Sequence, residues 1–429
     1  RRIGKTELIK HFLKDKPHLY FVCDKSGTVN NFIKFKKRVA EYLNEPVMES
    51  NDLEEILKYL KNKIKNNKLV LVFDEFSYLV EKDDSVPSLF QIAIDEILKN
   101  TNIFLILCGS SISMMEKGVL SQKSPLYGRK TAHIKLKSIP FSFFKEFFPL
   151  NNMEKNIEFY SILDGVPFYL ERFSDKKSTF ENILTQILDK RGELYEEIEF
   201  LLKEELREPD VYKSILNAIA SGKTKIVEIA NSSNMKIQDM DKYLKVLIRL
   251  GIVKKEISIT ETKSKKSIYI INDNLFNFYF LFFEPYKFDL EIGELKNVKA
   301  KLKTGFPLYV GRKFEKFVSE EVLKNLKIID FNKIGRQWGK IPNKPKGENQ
   351  YEIDIVALNE EKKEIMFCEC KWKDNVNPKK ILEELKEKSK YVDWNNENRK
   401  EYYAVFAKSF KEKIKEKNVY LFDLKDLEK

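Results

Sequence analysis

Apolar runs alternate with amphipathic stretches along the first third of the chain. Short continuous apolar runs occur at HLYFVCD (18–24), KLVLVFDEF (68–76), NIFLILCGS (102–110) and HIKLK (133–137). Such runs are typical of strands in a parallel sheet. Residues 29–43, 53–66 and 88–99, and a stretch near Met114, carry the spacing of helices instead. The alternation predicts an α/β domain over residues 1–140, with a parallel sheet covered on both faces.

The pattern changes twice in the middle of the chain. Residues 141–208 show helical spacing throughout, and Pro209 marks a boundary. From Val211 onward, helical segments break at Gly222 and Asn234, and two β-branched stretches follow, KKEISIT (254–260) and KSIYIIND (266–273). Three helices and a β-hairpin are the elements of a winged helix. We therefore predict a helical lid at 141–208 and a winged-helix module at 209–290, which the aromatic helix LFNFYFLFF (275–283) closes.

Residues 300–429 return to a mixed pattern. A helix is predicted at GRKFEKFVSEEVLKNL (311–326) and a Lys/Glu-rich helix at about 377–391. Strands are predicted at YEIDIVAL (351–358), KKEIMFCECKW (362–372), YYAVFAK (402–408) and VYLFDL (419–424). The pattern therefore indicates a second α/β domain.

Composition narrows the class of protein. With 42% hydrophobic and 34% charged residues among 429, the chain has a globular composition, and no apolar run reaches the length of a membrane span. Four scattered cysteines and three histidines argue against a disulfide framework and a zinc site, so we expect a cytoplasmic protein without a membrane partner. The net charge of +12 permits contact with a polyanion, although abundant Lys, Ile, Asn and Phe also fit a compositional bias.

The segment RRIGKTELIK at the start suggests a nucleotide site. A phosphate-binding loop has the pattern G-x-x-x-x-G-K-[ST], in which the lysine reaches the phosphates and the hydroxyl holds Mg²⁺. Gly4, Lys5 and Thr6 match its second half, and Glu7 follows them. The first glycine of the pattern would precede Arg1. We therefore expect the sequence as it stands to bind nucleotide poorly.

Polar residues at the ends of later strands extend this site. Asp74 and Glu75 follow a buried strand, where Asp74 would hold the magnesium shell and Glu75 would orient or deprotonate the attacking water. Ser110 ends the next strand, either as a γ-phosphate sensor or as a helix N-cap. Arg129 either stabilises charge on the transferring phosphoryl group or forms a structural salt bridge or a DNA-phosphate contact. Ordinary turn carboxylates are the alternative for the acidic pair.

The chain resembles the archaeal ATPase family of P-loop proteins, which is related to the AAA+ and STAND groups. The resemblance covers residues 1–207 and is carried by RRIGKTEL, LVFDEFSYL, ILCGSSISMM, PLYGR and DGVPFYL. It implies ATP as the nucleotide, with Lys5 and Thr6 on phosphates and Mg²⁺. It also implies Asp74 and Glu75 as the acidic pair, with Ser110 and Arg129 in supporting roles.

A second acidic site is predicted near the C-terminus. Alternation places Glu369 and Lys371 on one face of a strand with apolar residues on both faces, and Asp354 lies between two isoleucines on the preceding strand. Asp, then Glu-x-Lys, is the acidic set of the PD-(D/E)xK nucleases: Asp354 and Glu369 would bridge Mg²⁺, and Lys371 would position water or neutralise charge. Glu315 would add a ligand or orient Lys371. A structural Glu369–Lys371 ion pair is the alternative.

Residues 306–425 also resemble the C-terminal domain of unknown function that accompanies these archaeal ATPases and is similar to PD-(D/E)xK folds. The matching segments are GRKFEKFV, GRQWGK, EIDIVAL and ECKW. In the middle module, Gln238, Lys242, Lys245 and Arg249 lie on the helix that would enter a DNA groove. A lid or a protein docking role is the alternative for that module.

Two functions are consistent with these patterns. The first is a cytoplasmic ATPase whose nucleotide state controls a DNA-directed module ending in a Mg²⁺-dependent nuclease domain. The second is a STAND-like switch, in which ATP drives assembly into a homo-oligomer and the C-terminal fold binds DNA or a protein without cutting.

Overall fold

The computed structural model describes residues 2–261, 267–345 and 347–428. They form two compact units, Arg1–Lys137 and Ser138–Lys429, each with its own core. Among the described residues, no helix is both long and apolar enough to cross a membrane.

The first unit alternates helices and parallel strands. Its elements are α1 (Lys5–Leu13), β1 (His18–Val22), α2 (Thr28–Leu43), α3 (Leu53–Ile64), β2 (Leu69–Asp74), α4 (Ser77–Lys82), α5 (Val86–Ile92, continued by a π-helical turn at Ala93–Leu98), β3 (Ile103–Leu107) and α6 (Ile112–Met115, continued at Glu116–Leu120). The sheet has the order β1-β2-β3, and both strand pairs are parallel. The predicted α/β class is confirmed.

The central strand β2 is covered on both faces. Each of its residues is buried. Leu71 and Phe73 pack into a cluster with residues of α2, α3 and α5, whereas Val70 and Val72 pack against α1. Because alternate side chains of a strand point to opposite faces, one continuous apolar run supplies both cores. The sheet therefore ends at Asp74 with its acidic residues just beyond the buried run.

The strand predicted at HIKLK (133–137) is wrong. These residues have no regular structure, and Ile134 is 79% exposed. A strand needs a hydrogen-bonded neighbour, and within the described residues β3 pairs only with β2. The apolar alternation of the segment is therefore not matched by a partner strand.

The second unit begins with helices, as predicted. They are α7 (Phe144–Phe147), α8 (Met153–Leu163), α9 (Pro167–Leu170), α10 (Thr179–Asn182, continued at Ile183–Leu188), α11 (Glu197–Glu205), α12 (Pro209–Ala220), α13 (Ile226–Ser232) and α14 (Ile237–Arg249). The helical spacing that the sequence shows throughout 141–208 is interrupted between Leu188 and Glu197. A Cβ atom at Gly192 in this break would lie 2.4 Å from the carbonyl oxygen of Gln186, so the turn requires glycine.

A short antiparallel hairpin follows these helices. Its strands are β4 (Val253–Glu256) and β5 (Ile268–Ile271). Lys266, which begins the second predicted strand, lies outside the described residues. Next come α15 (Asn274–Phe278, continued at Tyr279–Phe283) and α16 (Lys287–Glu291), so the aromatic helix forms where the sequence predicts it.

The last part of the unit is a mixed sheet flanked by helices. Its elements are α17 (Lys296–Phe317, continued at Val318–Val322), β6 (Lys333–Lys340), β7 (Gln350–Asn359), β8 (Glu364–Lys371), α18 (Pro378–Ser389), β9 (Lys400–Ala407), β10 (Val419–Phe422) and α19 (Leu424–Leu427). The strand order is β10-β9-β8-β7-β6, with β8, β9 and β10 parallel and the other pairs antiparallel. The sequence patterns missed β6 and the first four turns of α17.

A buried network of hydrogen bonds connects α17 to elements that precede it in the chain. The ammonium of Lys316 donates to Asp164 Oδ1 (2.8 Å), to the carbonyl oxygen of Asn272 (2.9 Å) and to Asn274 Oδ1 (3.2 Å). The hydroxyl of Tyr309 donates to the carbonyl oxygens of Ser161 (2.6 Å) and Asn274 (2.9 Å). One hydrophobic cluster also runs from Phe144 to Phe406. Helices before residue 209 therefore share a core with the C-terminal sheet.

Candidate functional site

The residues that match a phosphate-binding loop lie at the N-terminus of α1. Gly4 precedes the helix with φ of 78°, and Lys5 and Thr6 are its first two residues. A positive φ is the conformation that glycine adopts at little cost. The first backbone N–H groups of a helix have no partner within it, and together with the helix dipole they favour a phosphate. Glu7 is exposed, and its carboxylate accepts a hydrogen bond from Lys10 (3.0 Å).

The hydroxyl of Thr6 meets the carboxylate of Asp74 although the two residues are 68 positions apart. Thr6 Oγ1 donates to Asp74 Oδ2 at 3.0 Å. Asp74 is 3% exposed and is the last residue of β2. The helix start and the strand end therefore form one polar site on the first unit.

Tyr20 is a member of this site that sequence reasoning missed. Its hydroxyl donates a hydrogen bond to Asp74 Oδ2. Burial, followed by the contact with Asp74, raises the pKa of Tyr20 well above its usual value, so the hydroxyl stays a donor. Tyr20 lies in β1 opposite Val72, and the one available signal was a polar atom inside an otherwise apolar strand.

Glu75 adopts an unusual backbone conformation. Its φ is 53°, in the left-handed region that non-glycine residues rarely occupy. The Glu75 N–H donates to Asp74 Oδ1 (2.9 Å), and the Glu75 carboxylate accepts from Ser110 Oγ (2.6 Å) and from the Ser110 N–H (3.3 Å). Ser111, rather than Ser110, caps α6. The strand ends thus hold the Glu75 carboxylate in a fixed direction.

Arg129 is engaged in a surface ion pair. Its Nη2 lies 2.8 Å from Asp95 Oδ2, its Nε donates to both Asp95 oxygens, and its Nη1 donates to the carbonyl oxygen of Pro125 (2.9 Å). The guanidinium holds the pKa of the Asp95 carboxyl below its usual value. This arrangement corresponds to the structural salt bridge that the sequence left open as an alternative.

The second group of predicted residues comes together on adjoining strands. Asp354 lies on β7, and Glu369 and Lys371 lie on β8. Lys371 Nζ is 2.7 Å from Glu369 Oε1 and 4.0 Å from Asp354 Oδ2, and the Cys370 N–H donates to Asp354 Oδ2 (2.8 Å). Glu369 and Asp354 raise the pKa of Lys371 although burial opposes them. The ammonium therefore stays charged between the carboxylates.

Glu315 reaches the same site from α17. Burial, and then the neighbouring Asp354, raises the pKa of Glu315 to about 8. Burial and Glu369 raise the pKa of Asp354 to about 6. Burial and a neighbouring carboxylate thus disfavour the charged forms of Glu315 and Asp354, so a bound cation would favour their ionisation.

Two further cations at this site were not predicted. The Nζ of Lys388, on α18, lies 3.2 Å from Glu369 Oε1. The Nη2 of Arg336, on β6, lies 3.9 Å from Glu315 Oε2 and forms an ion pair with Glu352. Lys388 is one of many lysines on a Lys/Glu-rich helix, so the sequence carried no signal for it. Over the described parts of the chain, no group of three or more His, Cys, Asp or Glu side chains is arranged to hold a metal ion.

The predicted groove-facing helix is α14. Gln238, Lys242, Lys245 and Arg249 are all exposed on it, whereas Leu244 and Leu247 are buried. Lys245 pairs with Asp241 (2.6 Å). The polar face of this helix is therefore accessible, with one of its cations already paired.

A parallel sheet, a helix that begins at Lys5, and an acidic pair at the strand end define an ATPase-type α/β domain. Residues 1–173 match the family described as an ATPase domain predominantly from Archaea, and residues 279–390 match a family of archaeal and bacterial proteins of unknown function. An uncharacterized protein of Methanocaldococcus jannaschii is 38% identical over 437 residues, which cover 99% of this chain and 93% of that protein. The chain therefore belongs to the archaeal ATPase family that carries this C-terminal domain.

Two other matches cover a smaller share of this chain. A second uncharacterized protein of the same organism is 46% identical over 59 residues, or 14% of this chain and 57% of that protein. The solved structure of a Walker-type ATPase of Pyrococcus abyssi is 19% identical with a TM-score of 0.50, and the match covers 65% of this chain and 88% of the other. This likeness shows a shared fold. The family resemblance inferred from the sequence is confirmed.

Proposed function

We propose that the chain binds and hydrolyses ATP and acts on DNA, with a Mg²⁺-dependent nuclease-like centre in its C-terminal part. The observation that carries the first half is the hydrogen bond of 3.0 Å between Thr6 Oγ1 and Asp74 Oδ2. It joins the hydroxyl of a phosphate-loop pattern to the acid at the end of a buried parallel strand, which are the two groups that hold a nucleotide-bound magnesium ion.

The remaining residues of the first site divide the work. The N–H groups after Gly4 and the ammonium of Lys5 would bind the phosphates, and Ser110 orients the carboxylate of Glu75 for the attacking water. Thr6 and Asp74 supply oxygen donors that suit Mg²⁺. When bound, the ion would neutralise charge on the phosphates.

ATP turnover by full-length protein tests this assignment. Lys5→Ala removes the ammonium from the phosphates, and we expect hydrolysis to fall by at least 100-fold. Lys10→Ala is the matched control, because Lys10 is on the same helix and its ammonium pairs with Glu7 at 3.0 Å. Unchanged turnover in Lys5→Ala, with Lys10→Ala equally active, would contradict the proposal.

The second half rests on the cluster of Asp354, Glu369 and Lys371. Asp354 and Glu369, on neighbouring strands, would provide hard oxygen donors to Mg²⁺, and water would supply its remaining ligands. Asp354 and Glu369 would hold the ion, which when bound polarises a phosphodiester. Lys371, fixed 2.7 Å from Glu369, would orient water or neutralise developing charge.

Nicking of supercoiled plasmid DNA tests the second half. The protein is incubated with Mg²⁺, with and without ATP, beside Asp354→Ala. Asp393→Ala, which removes an exposed carboxylate on the same unit, is the control. We expect nicking by wild type and by the control only. Nicking that persists in Asp354→Ala would refute the assigned centre.

A second candidate function is an ATP-driven switch whose C-terminal domain binds DNA or a protein without cutting. It is favoured by the two ammonium groups, Lys371 and Lys388, at 2.7 and 3.2 Å from Glu369 Oε1, because they already neutralise this carboxylate. Sedimentation with and without ATP separates the two functions. Nucleotide-driven oligomers combined with no nicking would favour the switch.

DNA contact by α14 is part of either function. Gln238, Lys242 and Arg249 are exposed and suit phosphates more than base edges, so the proposed contact is independent of sequence. The winged-helix assignment is supported by the order of three helices and an antiparallel hairpin.

A further inference from the structure

The basic residues of helix α17 are not interrupted by acidic ones over most of its length. Between Glu294 and Glu315 the chain has no acidic residue, and it has six basic ones: Lys296, Lys299, Lys301, Lys303, Arg312 and Lys313. Lys313 is buried, whereas Lys296, Lys301, Lys303 and Arg312 are exposed and Lys299 is half-exposed. Glu315 is the one acidic residue in the Lys296–Phe317 part of this helix.

Among the described residues, the accessible cations of α17 have no counter-ion. Across residues 2–261, 267–345 and 347–428, none of the five accessible basic side chains of α17 forms an ion pair or a side-chain hydrogen bond. By contrast, Lys379 and Lys386 on α18 and Lys390 at its C-cap each pair with a glutamate. Uncompensated like charges on one helix repel each other, so a polyanion would stabilise them.

One exposed stripe of α17 ends at the acidic site. Lys301, Leu308, Arg312 and Glu315 follow one another at spacings of seven, four and three, which places them on one stripe of the helix. Lys296, Lys299 and Lys303, at spacings of three and four, lie on another side of the helix. At a rise of about 1.5 Å per residue, the stripe from Lys301 to Glu315 is about 21 Å long, or about six base pairs of B-form DNA. Gly311 lies against Trp372, the residue after Lys371. The stripe therefore ends beside the proposed phosphodiester centre.

We propose that the exposed face of α17 binds the phosphate backbone of double-stranded DNA and guides it to the site at Glu315. The inference deepens the proposed function and rests on it for the choice of DNA as the polyanion. Leu308, 72% exposed, is the one large apolar side chain exposed on this helix over the described residues, so the face lacks the apolar stripe with which a helix enters a membrane. Lysines and arginines without acidic neighbours are instead the footprint of backbone contacts.

Binding of a fluorescein-labelled 20-base-pair duplex, followed by anisotropy in EDTA, tests the inference without cleavage. The full chain is compared with Lys301→Ala/Lys303→Ala/Arg312→Ala between 50 and 300 mM KCl. Each lost phosphate contact lowers the slope of log K against log salt by about 0.9, so we expect the slope to fall by about 2.7. The affinity at 100 mM KCl should fall by at least about tenfold.

The matched control is Lys379→Ala/Lys386→Ala/Lys390→Ala, which removes as many charges from α18. These lysines are paired, so we expect an unchanged slope. Lysine acetylation of the wild-type protein gives an independent measurement in case the triple variant does not fold. DNA should protect Lys301 and Lys303 while leaving Lys390 reactive.

An unchanged slope in the α17 variant, or no protection of Lys301 and Lys303, would overturn the inference. Equal binding of polyglutamate or of vesicles containing anionic lipid would assign the face to another polyanion, and tighter binding of duplex RNA would overturn the choice of DNA. Plasmid nicking is scored separately. If the α17 variant loses DNA binding and the wild-type protein does not nick plasmid, this inference is upheld and the nuclease proposal is refuted. If the wild type nicks plasmid and the α17 variant still does so, the nuclease proposal is upheld and this inference is refuted.

Discussion

Replacement of Lys316 by methionine should destabilise the second unit strongly. The Lys316 ammonium makes three polar contacts of 2.8 to 3.2 Å, and one of them joins it to Asp164 in a pair whose side chains are 18% and 15% exposed. Methionine keeps most of the side-chain length and removes the charge. The carboxylate of Asp164 would then be left largely buried without its cation.

The size of the effect follows from these contacts. Removing one partner of a buried ion pair costs about 3–5 kcal/mol. Asp164 keeps a hydrogen bond from the Asn274 N–H (2.8 Å), which places the expected loss near the lower limit, at about 3 kcal/mol. Lys324→Met is the matched control: Lys324 is exposed, so we expect its replacement to change the free energy of unfolding by less than about 0.5 kcal/mol.

Urea unfolding followed by tryptophan fluorescence measures the effect selectively. The three tryptophans, Trp338, Trp372 and Trp394, all lie in the second unit, so the signal reports on that unit alone. The free energy of unfolding is compared between wild type, Lys316→Met, Asp164→Asn and the double variant. We expect the double variant to lose at least about 1 kcal/mol less than the sum of the single variants, because each single change strands the other partner.

Two results would refute this reasoning. If the midpoint of Lys316→Met matches that of Lys324→Met, the network contributes no measurable stability. If the two single effects simply add, Lys316 and Asp164 act independently, and their ion pair does not couple α17 to the preceding helices.

The remaining predictions concern the two sites. Glu75→Gln should keep nucleotide affinity, measured by isothermal titration calorimetry, while the rate of ATP hydrolysis falls by about 10²–10⁴-fold, the contribution of a positioned base. Ser110→Ala should lower ATP turnover less, by about tenfold. Equal losses of turnover in the two variants would show that Ser110 does more than orient Glu75. Chelation by EDTA should abolish plasmid nicking, and activity that survives it would exclude the assigned Mg²⁺ role. Burial and Asp354 raise the pKa of Glu315 to about 8, from about 4.3 in an unfolded chain. Between these two pH values the folded state binds more protons than the unfolded state. The free energy of unfolding of metal-free protein should therefore fall as the pH rises from about 4.3 to about 8. Glu315→Gln should flatten that dependence in urea unfolding, and an unaltered slope would contradict the raised pKa.

Much of the local chemistry could be predicted from the sequence. The run from Leu69 to Phe73 predicted a buried strand ending in Asp74 and Glu75, because a strand that is apolar at every position must be covered on both faces. Glu369 and Lys371 were likewise recognisable as polar residues inside an apolar strand, which burial requires to be paired or functional. Both inferences depend only on the chemistry of neighbouring residues.

Other features required the tertiary structure. Tyr20 and Lys388 each contact a site residue from a different element, at separations of 54 and 19 positions, and no local pattern predicts either contact. The ion pair of Arg129 with Asp95, 34 positions away, is likewise visible only in the structure. HIKLK has the pattern of a strand but pairs with no strand in the part of the chain that the structure describes. Pairing depends on which backbone lies alongside, and local sequence does not encode that.

The sequence by itself determined which segments are buried and which polar residues lie at their ends, since both follow from the periodicity of side chains along one helix or strand. Tertiary structure alone decided which of those ends meet. Thr6 lies beside Asp74 because α1 begins at the end of β2, and Glu315 lies near Asp354 because α17 packs against β8. Such contacts join residues tens of positions apart, so their distances are set by the packing of whole elements rather than by any local pattern.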